Sequence, residues 1–313
     1  MQRFGIGGSV EPHGDASEIE LSMTVTDPAL ARTVRRVATT RARFARMLEC
    51  MNFSFASVIL SYFLIAGGTW AAGLLAARFG ISSEYLAYLI LAAGGFIGGV
   101  VAARASRGST ILEPAIGGGL LLVSLIAVGV IASGGSASML LVPSSMKAIA
   151  MTAGASVAGS IAGAFVAEKL FGHVEAGAGG WLLYTVLAGF GVGVVGTMLG
   201  TAFGHGSSGA LFGMLVVCSL FLGLAAGASA TRRILGAAFL GTAIGLFSFF
   251  FLAIYLFTSL FGSATEHGGE TGLAAIPSEV YAGLAILAAG AGVVAVIGAA
   301  IGWTTWGKRN PAK

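Results

Sequence analysis

From about residue 53 the chain presents eight long apolar runs, 53–78, 85–104, 110–132, 146–170, 181–203, 208–230, 234–261 and 280–303, separated by turns. An α-helix needs ~20 residues to cross the hydrocarbon core of a bilayer, and most of these runs reach or exceed that length. The prediction is an all-α integral membrane protein with about eight transmembrane helices. Composition leaves no soluble alternative: 56% of the 313 residues are hydrophobic and 10% charged, too little polar surface to dissolve a globule of that size.

The segments outside these runs set the expected domain organisation. Residues 1–26 carry Glu11, Asp15, Glu18 and Glu20 among glycine and serine, with no apolar core fit for a signal peptide, and read as a disordered cytoplasmic tail. Asp27 and Pro28 supply a helix start for residues 27–49, where Leu30, Val34, Val37, Phe44 and Leu48 recur at helical spacing. Between them lie Arg32, Arg35, Arg36, Arg41, Arg43 and Arg46, a basic juxtamembrane helix suited to the anionic cytoplasmic leaflet. Residues 50–306 form the polytopic domain and 307–313 a cytoplasmic C-terminal tail. Basic residues gather in the even-numbered loops and at both ends, at Arg104 and Arg107, Lys169, Arg232 and Arg233, and Lys308 and Arg309. The loop 262–279 holds three glutamates and no cation. The positive-inside rule then puts both termini in the cytoplasm, and a bacterial inner membrane is the expected location.

The stretch from Tyr85 to Val128 has an echo from Trp181 to Gly223, and its first half returns from Tyr281. Tyr88 aligns with Tyr184, Leu91 with Leu187, Ala92 with Ala188 and Gly95 with Gly191. This alignment predicts a three-helix unit repeated in alternating orientation, as 3+3+2. Inverted repeats of this kind are common in secondary transporters, though duplication alone does not fix a function.

Small residues four apart line nearly every run. Gly95 and Gly99, Gly159 and Gly163, and Gly196 and Gly200 are the expected helix-packing positions, because a bare backbone lets a neighbouring helix come close where lipid supplies no hydrophobic drive. Strings that resemble catalytic motifs lack their context. Gly191, Gly193 and Gly196 match GxGxxG without the acidic residue that follows in dinucleotide sites. Gly206-Ser207-Ser208-Gly209 matches the GxSG string of rhomboid-type intramembrane proteases, yet no run supplies a partnering histidine. Glu266, His267 and Glu270 lack a defined ligand pattern and read as a solvated loop. No catalytic residue, metal ligand, cofactor or nucleic-acid partner is expected.

Ionisable residues inside a span carry a penalty of at least ~2.5–3.5 kcal/mol and so mark function. Here they are few: Glu113, ahead of Pro114 one turn into the third run, and Lys147 at the start of the fourth. With Tyr88 and Tyr184 these are the candidate functional positions. Cys50 and Cys218 fall at a cytoplasmic helix entrance and in a buried helix, so no disulfide framework is expected. Such polar-poor spans predict a non-enzymatic structural, assembly or accessory subunit that binds the bilayer and other membrane subunits. The alternative is a secondary transporter or channel with an inverted-repeat core for a small or apolar substrate.

Overall fold

The structure, a computed structural model, describes residues 54–80, 83–105, 111–132, 143–171, 178–204, 207–230, 234–261 and 277–307. The chain separates into Met1–Cys50 and Met51–Lys313. The acidic tail, the arginine-rich segment 27–49, the loop with Glu266, His267 and Glu270, and residues 308–313 all lie outside the described residues.

Every regular element among the described residues is helical. In chain order the helices are α1 (Phe55–Arg78), α2 (Glu84–Ala105), α3 (Leu112–Ala132), α4 (Pro143–Val166), α5 (Ala178–Gly204), α6 (Ser208–Ser229), α7 (Leu235–Phe261) and α8 (Ser278–Gly302). Among the described residues, eight helices are long and apolar enough to cross a membrane. Their outward faces carry large apolar side chains throughout, among them Leu89, Val123, Phe165, Phe212 and Ile286. Water would not tolerate so much contiguous apolar surface, whereas hydrocarbon does.

Local chemistry accounts for the helix ends. Ser54 caps α1 by accepting a hydrogen bond from the Ser57 N–H, and Ser207 caps α6 by accepting from that of Ala210. The Ser207 hydroxyl, within the GxSG string, thus serves a helix start. α1 closes on Phe79 and Gly80, whose φ of +63° suits glycine. α4 begins on Pro143, at a first-turn position where no N–H is needed. α4 and α8 each run on into a widened π-helical turn, Ala167–Phe171 and Trp303–Gly307.

The core centres on α1, which packs on α2, α3, α5 and α6. Its Leu60, Leu64, Ile65 and Ala66 are fully buried with Ala188 and Val192 of α5 and Leu222 and Ala226 of α6. The predicted packing glycines all abut neighbouring helices. Gly95 and Gly99 of α2 lie on the backbone of Ser156 and Ser160 of α4, and Gly159 and Gly163 lie in return on Ala92 and Phe96. Gly196 and Gly200 of α5 lie on Leu215 and Leu211 of α6.

The helix pairing departs from the 3+3+2 expectation. Such a unit requires α4 to pack on α5 and α6 as α1 packs on α2 and α3. Among the described residues α4 instead packs on α2 and α3, and neither α5 nor α6 is one of its substantial neighbours. The alignment of Tyr85 with Trp181 rests largely on alanine, glycine and leucine, which are abundant throughout the chain.

Candidate functional site

Glu113 stands in the first turn of α3 and is completely buried. Its Oε1 accepts a hydrogen bond from the backbone N–H of Ser54 at 3.0 Å. The Ser54 hydroxyl meanwhile accepts from the Ser57 N–H at 3.3 Å. One carboxylate therefore sits at the positive ends of two helices, its own and α1, where unpaired N–H groups and the helix dipole favour an anion. This is how a carboxylate is accommodated in an otherwise apolar bundle. On the far side of Pro114 the Ser160 hydroxyl of α4 bonds the Val157 carbonyl at 2.8 Å and reaches the Pro114 carbonyl at 3.5 Å.

Arg104, in the last turn of α2, belongs to the same end of the bundle and is close enough to Tyr184 to act on it electrostatically. Tyr184 is buried on α5 with its ring edge-on to Trp181, centroids 5.8 Å apart. Glu113 and Tyr184 thus share the end at which the odd-numbered helices begin. Lys147 and Tyr88 do not join them. Lys147 is exposed on the first turns of α4, and Tyr88 is half-buried on the first turns of α2. Since even-numbered helices start at the opposite end, the four sequence candidates divide two and two.

Sequence reasoning missed the hydroxyl pairs that tie α1 to its neighbours. Thr69 and Ser156 lie 3.1 Å apart between α1 and α4, both buried. The Tyr62 hydroxyl donates to Ser124 of α3 at 3.0 Å. Neither pair has a local signal, because its members are 87 and 62 residues apart and meet only once the helices pack. Interhelical hydrogen bonds in membranes average about 0.6 kcal/mol and reach about 1.7. Thr69→Val should therefore destabilise the bundle within about that range, and Thr69→Val combined with Ser156→Ala should cost less than the sum of the single changes. Denaturant titration of the four variants of this cycle checks it; strict additivity would show that the two hydroxyls do not interact.

The site is thus a buried carboxylate pinning two helix starts, with hydroxyl ties running along α1. Its carboxylate takes the Ser54 backbone N–H of the chain itself. Comparison with known protein families, characterised proteins and solved structures finds no match.

Proposed function

We propose that this chain is a non-enzymatic polytopic protein of a bacterial inner membrane, with both termini cytoplasmic, acting as a structural, assembly or accessory subunit of an envelope complex. One observation carries the proposal: the centre of the bundle is closed by backbone. Gly67 of α1 lies on Leu187 and Gly191 of α5, and Gly191 lies in turn on Phe63 and Gly67. A solute moving between these helices would have to push both main chains aside. The interior hydroxyl pairs are turned to one another, and the outward faces offer lipid and neighbouring subunits a broad apolar surface. The arginines from Arg32 to Arg46 would hold the preceding segment at the anionic leaflet.

A second reading, a secondary transporter or channel for a small or apolar substrate, draws on Glu113, since a buried carboxylate within a span is a functional marker. Purification in mild detergent, identification of stoichiometric membrane partners, and flux assays in liposomes separate the two. The subunit reading expects defined partners and no flux. A chain that runs alone and carries solute, losing flux but not its fold on Glu113→Gln, would replace it with the transporter.

A further inference from the structure

The helix contacts recur with a period of four. In the first half α1 packs on α2 and α3, and α4 packs on α2 and α3; in the second α5 packs on α6 and α7, and α8 packs on α6 and α7. The second and third helices of each half touch only lightly, and the halves meet chiefly through α1 and α5.

The correspondence holds residue by residue. In the first half Gly95 and Gly99 of α2 lie on the backbone of Ser156 and Ser160 of α4. At the same places in the second, Gly223 and Gly227 of α6 lie on Ala295 and Ala299 of α8. The reverse contacts match too: Gly159 and Gly163 lie on Ala92 and Phe96, and Gly298 and Gly302 lie on Leu220 and Leu224. Within each helix pair these positions keep identical spacing, so no register shift is needed to superpose them.

The first and third helices behave alike. Gly117 of α3 lies on Ser61 of α1, and Gly241 of α7 lies on Thr185 of α5. Ser61 and Thr185 each donate their hydroxyl to the carbonyl four residues back, Ser57 at 2.7 Å and Trp181 at 2.8 Å. Both fourth helices end in a π-helical turn.

We infer that the bundle consists of two structurally equivalent four-helix modules, α1–α4 and α5–α8, and that the face of α1 around Gly67 is an interaction surface built to receive the matching face of such a module. The contact is reciprocal. Gly67 meets Leu187 while its counterpart Gly191 meets Phe63, the counterpart of Leu187, and the two glycines meet each other. Residue i touching j while j touches i is the signature of a two-fold interface. An even number of spans leaves both modules in the same orientation, so the axis runs along the membrane normal and passes between Gly67 and Gly191. Side chains bulkier than hydrogen at either glycine would separate the modules without entering the seams inside them.

The test uses the full chain with a protease site inserted between residues 172 and 177, cleaved after purification in mild detergent, and a reporter disulfide from Thr69→Cys with Ser156→Cys inside the first module. Cleaved chains with Gly67 and Gly191 intact should stay together. Gly67→Leu and Gly191→Leu should each let the fragments separate while the reporter disulfide still forms, with Gly67→Ala as a milder version of the first. The inference is overturned if the unsubstituted fragments separate, if the substituted ones remain joined, or if the reporter is lost in all three substituted chains, since the damage would then not be confined to one interface.

Discussion

Leucine in place of Gly99 is expected to prevent the chain from accumulating as folded protein, whereas leucine in place of Gly154, on the partner helix α4, should be tolerated. A Cβ at Gly99 falls on the backbone of Ser160, while one at Gly154 meets open space. Overpacking a core by a methylene or two costs about 1–3 kcal/mol, because neighbours shift or leave their rotamers. Here the obstacle is main chain on a rigid helix, which cannot rotate aside, so the loss for leucine should exceed about 4 kcal/mol, and alanine should fall in the about 1–3 range. Yield of monodisperse protein and a denaturant titration of each variant give the comparison. Equal behaviour of Gly99→Leu and Gly154→Leu would mean that α2 and α4 do not pack on these faces.

The second large effect concerns Glu113. Glu113→Ala should lower stability by about 1.5–3 kcal/mol, the worth of a hydrogen bond to a charged group, and should loosen the first turn of α1 by leaving the Ser54 N–H without its acceptor. Glu113→Gln keeps an acceptor oxygen and loses only the charge, so it should recover some of that loss. Hydrogen–deuterium exchange across residues 54–58 provides a local readout beside global unfolding: faster in the alanine variant, intermediate in the glutamine variant. Identical exchange in glutamate, glutamine and alanine chains would remove Glu113 from the role of holding α1.

These two positions show what is legible in the sequence. The eight helices are, since each long apolar run must satisfy its backbone internally. Their ends are less so. α4 starts at Pro143 rather than 146 and α5 at Ala178 rather than 181, because Pro-Ser-Ser and Ala-Gly-Gly add little apolar signal while still continuing a helix. Glu113 stands out as the lone carboxylate near the start of its span. Its acceptor role does not, since Ser54 lies 59 residues away and reaches it only through the packing of α1 on α3.

The helix pairing does not follow the three-helix repeat, for a physical reason. An alignment weighs side-chain identity, but the two halves share chiefly the absence of side chains at points of close approach: Gly95 with Gly223, Gly99 with Gly227, Gly159 with Gly298 and Gly163 with Gly302. Elsewhere the chemistry has diverged. Where the first half has Glu113, Ser156 and Ser160, the second has Ala237, Ala295 and Ala299 at the matching places. In a chain with fifty glycines, four such matches vanish among chance ones.

The contact between Gly67 and Gly191 also sets a timetable. At about 5–20 residues per second, the ribosome takes on the order of 6–25 s to go from one glycine to the other, so α1 enters the bilayer long before α5 exists to cover it. The partners of Gly95 and Gly99, at Ser156 and Ser160, emerge in about half that time. The first four helices can therefore settle against one another while the nascent chain still holds the rest, and the close approach between Gly67 and Gly191 has to wait for the fifth.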